Sequence, residues 1–212
     1  MKKERFIAAV CTVWLAVAAA GCTRPSASVD PFAYTREGME MTVRAKITRT
    51  ASDGYGGEMS RVGESYTGKA WEVTATVTVS LPDERGVRAT SVSFTSPPTL
   101  AGVTISRSYA EDAATGGYTP TVTVSRVLAD GQILRVTDTE GTFDGLLRLA
   151  DAWLPQGDVT DVSPVTDGAR TVTVVAPDGG AAVFTFSENE KIPLRVRVTD
   201  PWGELELVRD AG

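Results

Sequence analysis

Histidine is absent from all 212 residues. Without it there is no Ser-His-Asp or Cys-His catalysis and no His-ligated metal site. Cysteine is scarce: Cys11 and Cys22 are the chain's two, and both precede residue 23. The body of the chain therefore has no disulfide and no thiolate set for zinc. Positive charge is in deficit, with a net charge of −6, and no basic stripe is interleaved with aromatics. An acidic chain of this kind is repelled by nucleic acid and by anionic lipid, so no nucleic-acid partner is expected. Gly56-Gly57, Gly116-Gly117 and Gly179-Gly180 fit no phosphate-loop spacing and read as turns. No cofactor, metal site or catalytic residue is expected.

The chain begins with a basic stretch, Met1-Lys2-Lys3-Glu4-Arg5, followed by the uncharged run Phe6–Ala20. That run suits the apolar region of an export signal and is shorter than the ~20 residues a membrane-spanning helix needs. Ala20-Gly21-Cys22 resembles the lipobox of bacterial lipoproteins. The resemblance implies a signal peptide over 1–21, with lipid attached to the Cys22 thiol. Cleavage by an ordinary signal peptidase after Ala18 or Ala20 is the alternative, since small residues line that stretch. The signal carries three basic residues and one acidic, a net +2, so the rest of the chain stands at −8. A diacylglyceryl group on Cys22 would hold this anionic body at the membrane without help from protein charge. The expected location is the cell membrane, lipid-anchored on its extracytoplasmic face. Residues 22–30 form a short polar tether, and 31–212 are expected to form one β-rich domain.

Period two dominates that domain. Trp71, Val73, Ala75, Val77 and Val79 alternate with Glu72, Thr74, Thr76 and Thr78. Val43-Ala45-Ile47, Val122-Val124, Ala182-Phe184-Phe186 and Leu194-Val196-Val198 alternate in the same way. Such strands belong to an antiparallel sheet with one wetted face. Asp130-Gly131, Pro177–Gly180 and Asp200–Gly203 supply turns between them, which implies a meander. Ser52–Gly68 is glycine-rich without alternation and reads as a long loop. Residues 31–41 carry Pro31 and Gly38 and read poorly as a helix.

Asp144–Leu154 departs from this pattern. Leu146, Leu149, Ala150, Trp153 and Leu154 fall on one helical stripe. Thr142 or Asp144 is placed to cap its start, and Pro155 ends it. The stripe must be buried, and the apolar face of the sheet is the large candidate.

This order of elements resembles the LolA/LprG-like group of exported lipoproteins. More narrowly, Val92–Ile105, the Leu146–Leu154 stripe and Lys191–Val198 resemble small uncharacterised lipoproteins of Gram-positive bacteria. The resemblance implies a mainly β fold: a curved antiparallel half-barrel with one main amphipathic helix packed on its apolar face. It also implies a binding module for an apolar or lipidic ligand, with Trp71, Leu146, Trp153, Phe184 and Phe186 as lining. Two other functions stay open. An envelope scaffold or protein-interaction domain would have a solid core and no ligand cavity, with those five residues as ordinary core. A hydrolase would use paired carboxylates: Asp138 with Glu140, or Glu204 with Glu206. Such pairs sit about 7 Å apart on one strand face, but they read more simply as charge on a wetted face. Asp158 and Asp161 lack the spacing of a calcium loop.

Overall fold

Eleven strands join edge to edge in one antiparallel sheet. The computed structural model describes residues 30–49, 70–111, 116–201 and 203–210. The expected export signal (1–21), Cys22, the expected tether up to residue 29 and the glycine-rich stretch 52–68 lie outside the described residues. Pro31–Gly212 forms one compact unit.

In chain order the strands are β1 (Met39–Arg49), β2 (Ala70–Val79), β3 (Thr90–Ser96), β4 (Val103–Glu111), β5 (Tyr118–Val127) and β6 (Ile133–Asp138). Helix α1 (Asp144–Asp151) follows. The second run is β7 (Asp158–Val162), β8 (Ala169–Val175), β9 (Ala181–Ser187), β10 (Arg195–Asp200) and β11 (Gly203–Arg209). The spatial order is β6-β5-β4-β3-β2-β1-β11-β10-β9-β8-β7. Two meanders are thus zipped together where the first strand pairs with the last, Val43 opposite Arg209 and Ile47 opposite Leu205. The sheet is curved and unclosed, because β6 and β7 are its two free edges. The connection between those edges carries α1 across the sheet's inner face.

Alternation decides which face is inner. Val43, Ala45, Val73, Ala75, Val77, Val92, Phe94, Ile105, Val172, Phe184, Val196 and Leu207 are all buried. Their strand neighbours are mostly Thr, Ser, Lys, Arg and Glu, and these face water. The expected fold, a mainly β curved antiparallel sheet with one helix on its apolar face, is the one observed.

The helix differs from expectation in two details. It ends at Asp151, and Ala152–Leu154 continue as turns; Pro155 disfavours helical backbone at the residue before it. Its N-cap is Phe143, with no side-chain cap bond, so neither Thr142 nor Asp144 caps it. Asp138 organises the approach instead. Its carboxylate accepts N–H bonds from Glu140 at 3.2 Å and Phe143 at 2.9 Å. Leu147, Leu149, Ala150 and Trp153 are fully buried, with Leu147 joining the expected stripe. Contacts of α1 fall chiefly on β3, then on β2 and β4.

The rest of the inner face is filled from the N-terminal side. A single 3₁₀ turn, Ala33–Arg36, follows Phe32. Phe32 packs edge-on against Phe184 at 4.9 Å between ring centres, and Tyr34 lies against Phe186. Tyr34 donates its hydroxyl hydrogen bond to the Trp153 carbonyl just beyond α1. That carbonyl lies where helix ends leave acceptors unsatisfied.

Candidate functional site

Strand pairing lays down one inward row of apolar residues. Trp71 stands opposite Ile47, Ile47 opposite Leu205, and Leu205 opposite Val198. Val198 stands opposite Ala182, and Ala182 opposite Val174. Because paired residues share a face, the row runs unbroken across β2, β1, β11, β10, β9 and β8. It forms the floor of two clefts beside α1. One, of about 270 Å³, is lined by Trp71, Ile47 and Leu205 with Leu146 and Leu149 of the helix. The other, of about 200 Å³, is lined by Leu205, Val198, Ala182 and Val174 with Ala152 and Leu154. Leu205, Arg148 and Asp151 border both.

Ion pairs tie α1 to the sheet on both flanks. Arg107 of β4 pairs with Asp151, and Arg148 pairs with Asp200 at the end of β10. The second pair stands where the two clefts meet. Burial works against charge at both members of the first pair. At Arg107, the hydrogen bond and charge of Asp151 outweigh burial, and its pKa is raised. At Asp151, burial is the larger influence and lifts the carboxyl above its ordinary value, with Arg107 acting the other way.

The five residues expected to line a ligand site divide into two sets. Trp71 and Leu146 are partly buried and border the larger cleft. Trp153, Phe184 and Phe186 are fully buried in the closed core and border neither cleft. Ile47, Leu205, Arg107, Arg148, Asp151 and Asp200 were not singled out by sequence. Ile47 and Asp151 lay within runs already read as strand and helix, so the signal available was their position rather than their type.

The carboxylate pairs have other occupations. Asp138 holds the loop before α1. Burial acts to raise its pKa, but the backbone N–H groups of Phe143, Glu140, Thr142 and Gly141 outweigh burial and lower it. Glu204 and Glu206 pair with Arg197 and Arg195 of the adjacent strand. Asp158 and Asp161 are exposed on β7. Among the described residues, no three Cys, Asp or Glu side chains cluster to hold a metal ion.

No family model matches this chain, and no curated protein matches it. Two solved structures are similar in outline. One is a DUF1329 family protein from Desulfovibrio piger, at 12% identity and a TM-score of 0.42, covering 86% of this chain and 87% of that one. The other is a putative outer membrane lipoprotein-sorting protein domain from Vibrio parahaemolyticus, at 8% identity and a TM-score of 0.35, covering 82% and 83%. Likenesses this distant carry no functional argument, so the site must speak for itself.

Proposed function

We propose that this chain is an envelope-anchored binding module that holds a slim apolar chain in the groove beside α1. The observation that carries the reading is the six-strand apolar floor from Trp71 to Val174 lying under two clefts. Ligand sites are characteristically apolar concavities with a few polar groups at the mouth, and here Arg148, Asp151 and Asp200 supply the polar rim. The lipobox-like Ala20-Gly21-Cys22 supports an anchor at a membrane surface, where apolar chains are available. The groove is narrow because Trp153, Phe184 and Phe186 fill the centre of the half-barrel. It suits one chain better than a multi-chain lipid.

The test is native mass spectrometry of the full chain carrying Cys22→Ser, purified from cells. A co-purified species of lipid mass, lost on Leu205→Trp, is the expected result. An empty chain that also takes up no hexadecanoate rejects the reading.

A second reading is favoured by a different observation. The inner faces of both edges carry uncovered apolar side chains: Leu134 and Val136 on β6, 56% exposed each, and Val159 and Val162 on β7, 48% and 51% exposed. With a solid core, these rims would make the domain a protein-interaction scaffold. It would then bind no apolar probe, and charged substitutions at Leu134 and Val159 would abolish partner capture.

A further inference from the structure

A third concavity, of about 600 Å³, opens on the inner face beside β3 and β4, at the C-terminal end of α1. Its chemistry is unlike that of the apolar groove. It is framed by Thr35, Arg88, Thr90, Arg107 and Tyr109, with Leu154–Gln156 closing one side. Thr90 and Arg107 are cross-strand partners of β3 and β4.

The pocket is rich in unused donors. Thr90 is 3% exposed, and its hydroxyl makes no hydrogen bond to the described residues. The Arg107 Nε is buried without an acceptor as well. Buried polar groups are normally satisfied, and each exception calls for a reason. Arg88 donates one bond to the Ser80 carbonyl at 3.3 Å. No carboxylate among the described residues pairs with it. Partial burial lowers the pKa of its guanidinium below the ordinary value. The single acidic residue at the rim, Asp151, is already engaged by Arg107. An acidic protein thus keeps an inward pocket in which cations outnumber anions.

The pocket also adjoins the groove across the Arg107–Asp151 pair. Arg107 and Asp151 border both it and the larger apolar cleft. A molecule lying along α1 would therefore pass from apolar walls to a nest of donors within its own length.

We propose that the pocket framed by Arg88, Thr90 and Arg107 receives the oxyanion head of an amphiphile whose chain occupies the groove beside α1. The inference rests on the groove reading above and names the class of ligand. An oxyanion, whether carboxylate or phosphate, accepts several hydrogen bonds at once and pairs with guanidinium in a bidentate manner. A neutral head would leave the donors underused.

The experiment titrates the full chain carrying Cys22→Ser with hexadecanoate, hexadecyl phosphate, hexadecanol and inorganic phosphate, followed by calorimetry. The two anionic amphiphiles are expected to bind about tenfold or more tighter than hexadecanol. Arg88→Gln should remove that advantage and leave hexadecanol unchanged, with Arg88→Lys restoring part of it. Thr90→Val should weaken the anionic probes while folding at least as stably, since it deletes a buried hydroxyl without a partner. Equal affinity for anionic and neutral probes, or anionic binding unmoved by both Arg88→Gln and Thr90→Val, overturns the head-group assignment and leaves the groove reading standing. Inorganic phosphate binding as tightly as hexadecyl phosphate overturns the coupling of pocket to groove. Failure of all three amphiphiles to bind rejects the groove reading and this inference with it.

Discussion

Arg148 of the helix and Asp200 of β10 meet across the groove, at the point where its two clefts adjoin. Leu205 borders both clefts there and continues the floor from one to the other. The ion pair therefore stands between the two clefts and divides the groove above its shared apolar floor.

Removing the pair should lengthen the usable groove. Arg148→Met keeps the aliphatic stem and removes the charge. Asp200 is 13% exposed, so removing this ion pair should cost about 1–3 kcal/mol. Chain-length selectivity should change too, because each additional methylene buried is worth about 0.8 kcal/mol. The measurement is affinity for a series from octanoate to hexadecanoate. In the parent chain the gain should level off at a shorter length than in Arg148→Met. Identical curves would show that the pair does not divide the groove.

Trp71 on β2 and Trp153 just beyond α1 should behave differently. Trp153 is fully buried in the closed core, and truncating such a residue costs about 3–5 kcal/mol. Trp71 is partly buried at the end of the cleft floor. Trp71→Ala should cost clearly less in chemical denaturation than Trp153→Ala, yet weaken hexadecanoate binding more. A Trp71→Ala chain as unstable as Trp153→Ala would make Trp71 core.

Tyr34 offers a test of how the 3₁₀ turn is held. Its hydroxyl donates to the Trp153 carbonyl in a buried setting, and burial raises its pKa. Tyr34→Phe leaves that carbonyl without its donor, at a cost of about 1–3 kcal/mol. The loss should register in thermal unfolding and as faster amide exchange over residues 31–37. No change in either would mean that ring packing alone fixes the turn.

Much of this was legible in the chain, for identifiable reasons. β2 reads directly because Trp71 to Val79 has one dry and one wet face, so alternation survives intact. β9 does so through Phe184 and Phe186. β7 was hidden because it is an edge: every residue of Asp158–Val162 is exposed, so no face is selected. The plug formed by Phe32 and Tyr34 was hidden because so short a turn carries no period. The cleft floor was only half legible. Ile47 and Trp71 each alternate correctly within their strands, but their adjacency to Leu205 comes from β1 pairing with β11 across most of the chain. The polar rim was not legible at all, since Arg107 finds Asp151 and Arg148 finds Asp200 only after folding.

The Arg107–Asp151 pair makes a prediction whose sign can be worked through. Burial raises the Asp151 pKa in the folded chain, and Arg107 opposes that rise. Arg107→Ala removes the opposition, so the folded pKa climbs further above the unfolded value. A carboxyl with a raised folded pKa binds its proton more tightly when folded, so the fold is favoured at low pH and loses ground as pH rises through that pKa. Both side chains are 21% exposed, so solvent screens the stranded charge only in part, and the variant should lose about 1–3 kcal/mol near neutrality. Below the unfolded value of about 3.9 the carboxyl is protonated in both states and much of that penalty disappears. Denaturant titrations of parent and Arg107→Ala at pH 4 and pH 8 measure this directly. The gap between them should be wider at pH 8, and a gap that is equal or wider at pH 4 would mean that Asp151 is solvated rather than buried beside the groove.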